Sequence, residues 1–397
     1  MKKIIFLLIV FFLLPITSKA IELPINVSAK GVALYDVTHD QFIYSKNLDQ
    51  QFELASLTKM YTEYLAIINN LNLKKKVKIT RDSFYRLDAF TKIGLEEGEV
   101  LTLNELLYAS NLNSGADASQ ALAYGTTKNV KDFVLLMNET VKGMGLYNTH
   151  FETTYGGSNN DTSTPREVVY FLKEALQNKD FERIFNGKYL KLSNGLEAIN
   201  YTRSIASFYG YNPDLIKGNK SGYTDDAGML LASTATINDV DYILVVFKSK
   251  VLHIPNEKWH IKDTYDIYNY IKDKNYEERT LIEKGTYLET IPVENSTISE
   301  YILNSDEELT LILNDEEYDS VTYDYHIIDK ISNKTKQGSS LGHIDIYVGD
   351  ELIYTYKLEL KDYIFDKKQE AKTKAYIFII LLICLIGLFL FNLKNKI

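Results

Sequence analysis

The chain has 397 residues, of which 45% are hydrophobic and 24% charged; that is a globular composition with room for two or three domains at roughly 150 residues each. Lys+Arg 44 against Asp+Glu 53 gives a net charge of −9, which argues against a nucleic-acid partner, because phosphate binding needs a basic surface. The single cysteine, Cys384, forbids an intrachain disulfide, and the six histidines show no ligand spacing, so a metal site is not expected.

Residues 1–20 read as a secretory signal. Lys2 and Lys3 precede an apolar run from Ile4 to Leu14, Pro15 breaks it, and Ser18 and Ala20 stand at −3 and −1 of a cleavage site. Residues 30–47 alternate apolar and polar positions around Thr38-His39-Asp40, which predicts a β-hairpin. Ser56 opens a helical stretch to about Asn70, with an apolar stripe of Leu57, Met60, Tyr64, Leu65 and Ile68. A second helical region over 103–124 breaks near Asn113-Ser114-Gly115. Val130, Phe133, Val134, Met137, Val141 and Met144 space a third helix that stops at Gly145. Thr164-Pro165-Arg166-Glu167 predicts a capping box for a fourth helix through Leu176. Strands follow at Leu215–Thr224, Gly228–Thr234 and Tyr242–Lys248, then a helix from about Asp263 to Lys272. The order of strands, helices and strands predicts an α+β domain with helices on an antiparallel sheet over residues 21–275.

After Lys274 short alternating strands dominate, as in 308–314 and in a hairpin over 343–360 that turns at Gly349-Asp350. Residues 276–366 hold 7 Lys+Arg against 21 Asp+Glu, a net of −14 that leaves +5 on the rest of the chain. An acidic β-sandwich domain is expected there. Residues 375–393 are nineteen uncharged residues, enough for a transmembrane helix, and 394–397 would form a cytoplasmic tail. Signal and anchor together predict a bacterial protein on the extracytoplasmic face of the cell membrane, held there by its C-terminal helix.

Three motifs carry the chemistry. In Ser56-Leu57-Thr58-Lys59, residues i and i+3 share a helix face, and a lysine of depressed pKa can take the proton of a serine nucleophile. Free backbone N–H groups at the helix start suit a developing oxyanion. Ser114-Gly115-Ala116-Asp117 occupies a break between helices. Lys220-Ser221-Gly222 opens a strand. There a lysine attracts a carboxylate, a hydroxyl bonds it, and a glycine lets a substrate backbone approach.

The order SxxK, a serine-led loop 58 residues on, and K-[ST]-G 106 residues later resembles the penicillin-recognising serine acyltransferases. The flanking text, ASLTKMYTEYLA, LLYASNLNSGADASQALA, MGLYNTHF and KGNKSGYTDDAGMLLASTA, is similar to the low-molecular-mass penicillin-binding proteins, serine-type D-alanyl-D-alanine carboxypeptidases of the S11 peptidase family. The resemblance covers residues 28–275 in detail. It implies a transpeptidase domain of penicillin-binding-protein/β-lactamase type, peptidoglycan pentapeptide as substrate, and inhibition by β-lactam antibiotics. It implies Ser56 as nucleophile, Lys59 as base and Ser114 as proton relay, with no cofactor or metal required. Lys220, Ser221, Gly222 and Tyr223 would bind substrate, with the N–H groups of Ser56 and Tyr223 as oxyanion hole.

Two departures stand out. Ala116 replaces the Asn that usually ends the second motif, and Asp117 matches the residue that follows it. No downstream arginine can be matched, with His260 and Lys262 as candidates. Two other readings remain. A β-lactamase would need a fast deacylating base, for which Glu152, Asp161 and Glu167 lie in the right window. A penicillin-binding surface protein with weakened catalysis would be explained by Ala116.

Overall fold

A computed structural model describes residues 25–70, 72–251, 258–274, 276–365, 372 and 376–381. They divide into two compact units, one ending at Tyr276 and one beginning at Glu277.

The first unit opens with the hairpin of β1 (Gly31–Asp36) and β2 (Gln41–Lys46), then a short β3 (Phe52–Glu53). Helix α1 (Thr58–Ile68) follows. A ribbon of β4 (Lys76–Lys78) and β5 (Val100–Thr102) leads into α2 (Leu103–Leu112), α3 (Ala116–Thr127) and α4 (Val130–Gly143). Strand β6 (Thr162–Ser163) pairs with β3 and precedes α5 (Pro165–Ala175) and α6 (Lys179–Phe185). The ribbon β7 (Tyr189–Lys191) and β8 (Glu197–Ile199) precedes α7 (Tyr201–Phe208). Strands β9 (Gly218–Thr224), β10 (Gly228–Ile237) and β11 (Val240–Ser249) and helix α8 (Trp259–Lys274) complete the unit.

Five of these strands form one antiparallel sheet in the order β2-β1-β11-β10-β9, so the Lys220-Ser221-Gly222 strand lies at its edge. The sheet is covered on both faces. Ile243, Val245 and Phe247 join the large core built by α1 to α6. Alternating with them, Leu244 and Val246 belong to the other face, where Tyr268 of α8 reaches Ser233 Oγ at 3.1 Å.

The expected apolar stripe of α1 is incomplete. Ile68 is 42% exposed, whereas Thr58, Lys59, Thr62 and Glu63 are buried. The helix runs through the middle of the core, so it is enclosed nearly all round and its polar residues face protein instead of water. The capping box at Thr164 is half present. Glu167 N–H donates to Thr164 Oγ1 at 3.2 Å, but the Glu167 carboxylate accepts from Asn148 N–H and Thr149 Oγ1. The full box sits at Thr102 and Glu105 instead. Helices α6 and α7 were not expected.

The second unit holds β12 (Glu277–Ile282), β13 (Tyr287–Glu294), β14 (Glu300–Asn304), β15 (Leu309–Leu313), a turn of helix α9 (Asp315–Asp319), β16 (Val321–Ile327), β17 (Ile331–Ser332), β18 (Ser340–Val348) and β19 (Glu351–Glu359). Where a sandwich is expected, the strands form three small sheets, β12-β15, β14-β13-β17 and β16-β18-β19. The hairpin expected over 343–360 is β18–β19, turning at Gly349 with φ +59.

The expected signal over 1–20 and tail over 394–397 lie outside the described residues. So does most of the membrane helix expected over 375–393, of which only 376–381 are described, as helix. Among the described residues no helix is long and apolar enough to cross a membrane.

Candidate active site

Ser56 sits in a 3₁₀ turn, Ala55–Leu57, that runs directly into α1. The turn begins with Ala55 at φ +43, a left-handed backbone that costs an L-residue about 1–2 kcal/mol. The loop over 153–157 holds it. Thr153 Oγ1 accepts the N–H groups of Gly156 and Gly157 at 3.0 and 2.9 Å. The Asp161 carboxylate accepts from the N–H groups of Glu152, Thr153 and Ser158. Gly156 at φ +82 lies so close that a Cβ there would stand 1.6 Å from the Ala55 carbonyl oxygen.

Lys59, one turn after Ser56 and second in α1, is 2% exposed. Its Nζ donates to Ser56 Oγ at 2.9 Å and to the Tyr155 carbonyl at 2.8 Å. Burial first, and then the charge of Lys220, hold its pKa well below the ordinary lysine value. A neutral Lys59 keeps N–H bonds for Tyr155 and turns a lone pair to Ser56, which is the arrangement a general base requires.

Ser114 stands in the break between α2 and α3 at φ +58, and its buried Oγ has no hydrogen-bond partner among the described residues. It lines one cleft together with Ser56, Ser221, Gly222 and Tyr223. A neighbouring cleft also reaches Ser56 and Lys59, past Gly156 and Tyr223. Gly222 lets the edge strand close on the nucleophile: a Cβ there would stand 3.1 Å from Ser56 N.

Lys220 lines neither cleft. It is 2% exposed behind the strand, with Nζ donating to the Ser221 carbonyl at 3.2 Å. Burial lowers its pKa and the charge of Glu63 raises it again.

Glu63 is a functional candidate that sequence reasoning missed. It is one turn beyond Lys59 on α1 and fully buried. Oε1 accepts from Ser110 Oγ at 2.7 Å, while Oε2 has no partner among the described residues. Burial pushes its pKa up, and Ser110, Lys220 and Lys59 pull it back. The buried group is therefore two lysines and a carboxyl group, not two lysines alone. Because Glu63 raises the pKa of Lys59, Glu63→Gln should lower it and move the acid limb of acylation to lower pH. A pH series of penicillin acylation rates reads this directly; an unmoved or upward-shifted limb contradicts it.

Ala116 packs in a small cluster with Leu87, Tyr155 and Phe90. Asp117 accepts backbone N–H bonds from Ile93, Gly94 and Leu95, each at 3.1 Å, so it holds a loop and does not substitute for the missing Asn. Of the two candidates for the downstream cation, Lys262 pairs with Asp266 on the exposed side of α8. His260 lines the Ser114 cleft, but burial first, then Lys258, push its pKa down to about 3, so it is neutral there. Lys258 lines the same cleft and is the better-placed cation. None of Glu152, Asp161 and Glu167 lines either cleft at Ser56, and all three carboxylates accept local hydrogen bonds.

Comparison with known proteins agrees with this geometry. Residues 17–251 match the D-alanyl-D-alanine carboxypeptidase family (Peptidase S11), and residues 276–364 match the penicillin-binding protein 5 C-terminal domain. The chain is 27% identical over 202 residues to a D-alanyl-D-alanine endopeptidase of Haemophilus influenzae, covering 50% of this chain and 68% of that protein. It is 24% identical over 335 residues to the D-alanyl-D-alanine carboxypeptidase DacF of Bacillus subtilis, covering 82% and 83%. Its fold is similar to that of the crystal structure of the carboxypeptidase DacD from Francisella tularensis, with a TM-score of 0.68 and 19% identity over 89% of this chain and 96% of that one. With Ser56, Lys59 and the edge strand assembled around one cleft and more than half of its length matching the family, the chain belongs to the D-alanyl-D-alanine carboxypeptidases of the S11 family, as a serine-type enzyme.

Proposed function

We propose that this carboxypeptidase removes the terminal D-Ala of peptidoglycan stem pentapeptides through an acyl-enzyme on Ser56. The observation that carries the reading is the 2.9 Å contact of Ser56 Oγ with a buried Lys59 whose proton is easily lost. Ser56 Oγ attacks the carbonyl carbon of the penultimate D-Ala, and its proton passes to Lys59. The N–H groups of Ser56 and Tyr223 hold the oxyanion. As the C–N bond breaks, Ser114 Oγ passes a proton to the departing amine, and water then hydrolyses the ester. Lys220 supplies positive charge from behind the strand, Ser221 bonds the substrate carboxylate, and Gly222 admits the substrate backbone.

Lys258 is given the part of the downstream cation in this reading. Lys258→Ala should raise KM for a pentapeptide roughly tenfold, since a charge-assisted hydrogen bond contributes about 1.5–3 kcal/mol, and change kcat much less. Steady-state kinetics decide it: an unchanged KM assigns the carboxylate elsewhere. A β-lactam, whose acyl bond forms at the same serine, is expected to leave a long-lived adduct, since none of Glu152, Asp161 and Glu167, the bases a β-lactamase reading would need, lines the clefts at Ser56. The nineteen uncharged residues over 375–393 and the signal-like residues 1–20 support an enzyme anchored by its C-terminus on the outer face of the bacterial cell membrane.

A further inference from the structure

The β domain places together side chains that are far apart in sequence. Strands β16 and β18 run antiparallel with His326 directly opposite His343 and Asp324 directly opposite Asp345. Opposed residues of such a ladder share a face, and so do residues two apart on one strand. All four side chains therefore stand on one side of the sheet. The two imidazole rings lie 4.7 Å apart between centroids. His326 Nε2 is 3.3 Å from Asp324 Oδ2 and 3.8 Å from Asp345 Oδ2, and His343 Nε2 is 3.7 Å from that same Asp345 oxygen. One ligand atom from each of His326, His343 and Asp345 falls within 4.8 Å of the others.

We propose that His326, His343 and Asp345, with Asp324 as a fourth donor, form a binding site for a divalent transition-metal cation of the zinc class. A tetrahedral zinc ion with nitrogen and oxygen ligands at about 2.0–2.1 Å has ligand atoms roughly 3.3–3.4 Å apart. Three of the six separations in such a set, at 3.3, 3.7 and 3.8 Å, lie near that spacing, and the ligand atoms of His326, His343 and Asp345 all fall within 4.8 Å of one another, so rotamer adjustment can close them on an ion. Two imidazoles and two carboxylates suit zinc, copper or nickel, whereas magnesium and calcium prefer an all-oxygen shell.

A second feature points the same way. Asp345 is the least exposed of the four, at 16% of its side chain, and its other oxygen, Oδ1, accepts a hydrogen bond from Thr355 Oγ1 of β19 at 2.6 Å. That bond leaves Oδ2 turned to the histidines, which is how an outer partner orients a metal-ligating carboxylate. Lys357, opposite His343 on β19, is solvent-exposed. The two histidines belong to different strands, so an ion would clamp β16 to β18. Linear spacing hides the site because His326 and His343 are joined only by strand register.

The test is a zinc titration of the tag-free full chain in detergent by isothermal calorimetry, with magnesium as control. The expected result is one zinc per chain, no magnesium binding, and a rise in melting temperature with zinc. His326→Ala and His343→Ala should each abolish the zinc signal, and Thr355→Val should weaken it roughly tenfold by freeing Asp345. The side chains changed are surface ones, and retained penicillin labelling and circular dichroism report folding. Copper substitution gives an independent readout on the unmutated protein: its paramagnetic resonance should show two coordinated imidazole nitrogens. Absence of zinc binding at up to ~100 μM (well above a micromolar site), binding that survives both histidine variants, or a copper spectrum without two nitrogens would each overturn the proposal.

Discussion

Lys59→Arg should lower the rate of Ser56 acylation by about 10²–10⁴-fold, the range contributed by a positioned general base. The substitution keeps a long hydrogen-bonding side chain but makes its charge permanent, so the nitrogen beside Ser56 has no lone pair for the serine proton. Lys59 is buried against Ser56 and Tyr155, and its proton is made labile by burial and by Lys220. A guanidinium in the same place cannot be deprotonated at any workable pH. Mass spectrometry of penicillin adducts against time measures the effect. An acylation rate within a few-fold of the unmodified enzyme would remove Lys59 from the base role. The pH profile supplies the sign: acylation should rise with pH as Lys59 loses its proton. It should fall again as Lys220, whose own pKa burial lowers to about 8, loses its charge.

Gly156→Ala should cost about 3–5 kcal/mol of stability, the range of the most disruptive single substitutions, together with most acylation activity. The added Cβ would stand 1.6 Å from the Ala55 carbonyl oxygen, which is backbone and cannot swing away. The positive φ of +82 adds strain for any L-residue. Relief requires the Ala55–Leu57 turn to move away from the loop, and with it Ser56 from the Tyr155 carbonyl that fixes Lys59. Thermal melting and penicillin labelling measure the two parts. A variant with unchanged melting temperature and labelling would show that the loop and the nucleophile turn are not coupled.

Much of this architecture could be read along the chain. Ser56 and Lys59 are a local pair, since one helical turn brings them together. The helix α4 announces itself by period, because one side of it meets the core, and the hairpin β1–β2 by its turn residues Thr38-His39-Asp40, since β1 is buried along its whole length. Glu63 could not be read in the same way. A glutamate among apolar residues normally marks the solvent side of a helix, but α1 is enclosed and carries its acid inward toward two lysines. Gly156 gave no signal because its constraint is a contact with Ala55, about a hundred residues away. Lys262 suited the downstream cation by position, yet helical phase turns it to Asp266, while Lys258 comes to the cleft from just ahead of α8. The histidine pair of the β domain depends on strand register, which alternation predicts only in part.

The most direct test of an acyl-enzyme on Ser56 is mass spectrometry of a pentapeptide digested by the full chain, run beside the Ser56→Ala variant. The unmodified enzyme should convert the pentapeptide to a tetrapeptide by loss of one D-Ala and carry a penicillin adduct on Ser56, and the variant should do neither. Tetrapeptide formation by Ser56→Ala, or no D-Ala release by the unmodified enzyme, would contradict the mechanism.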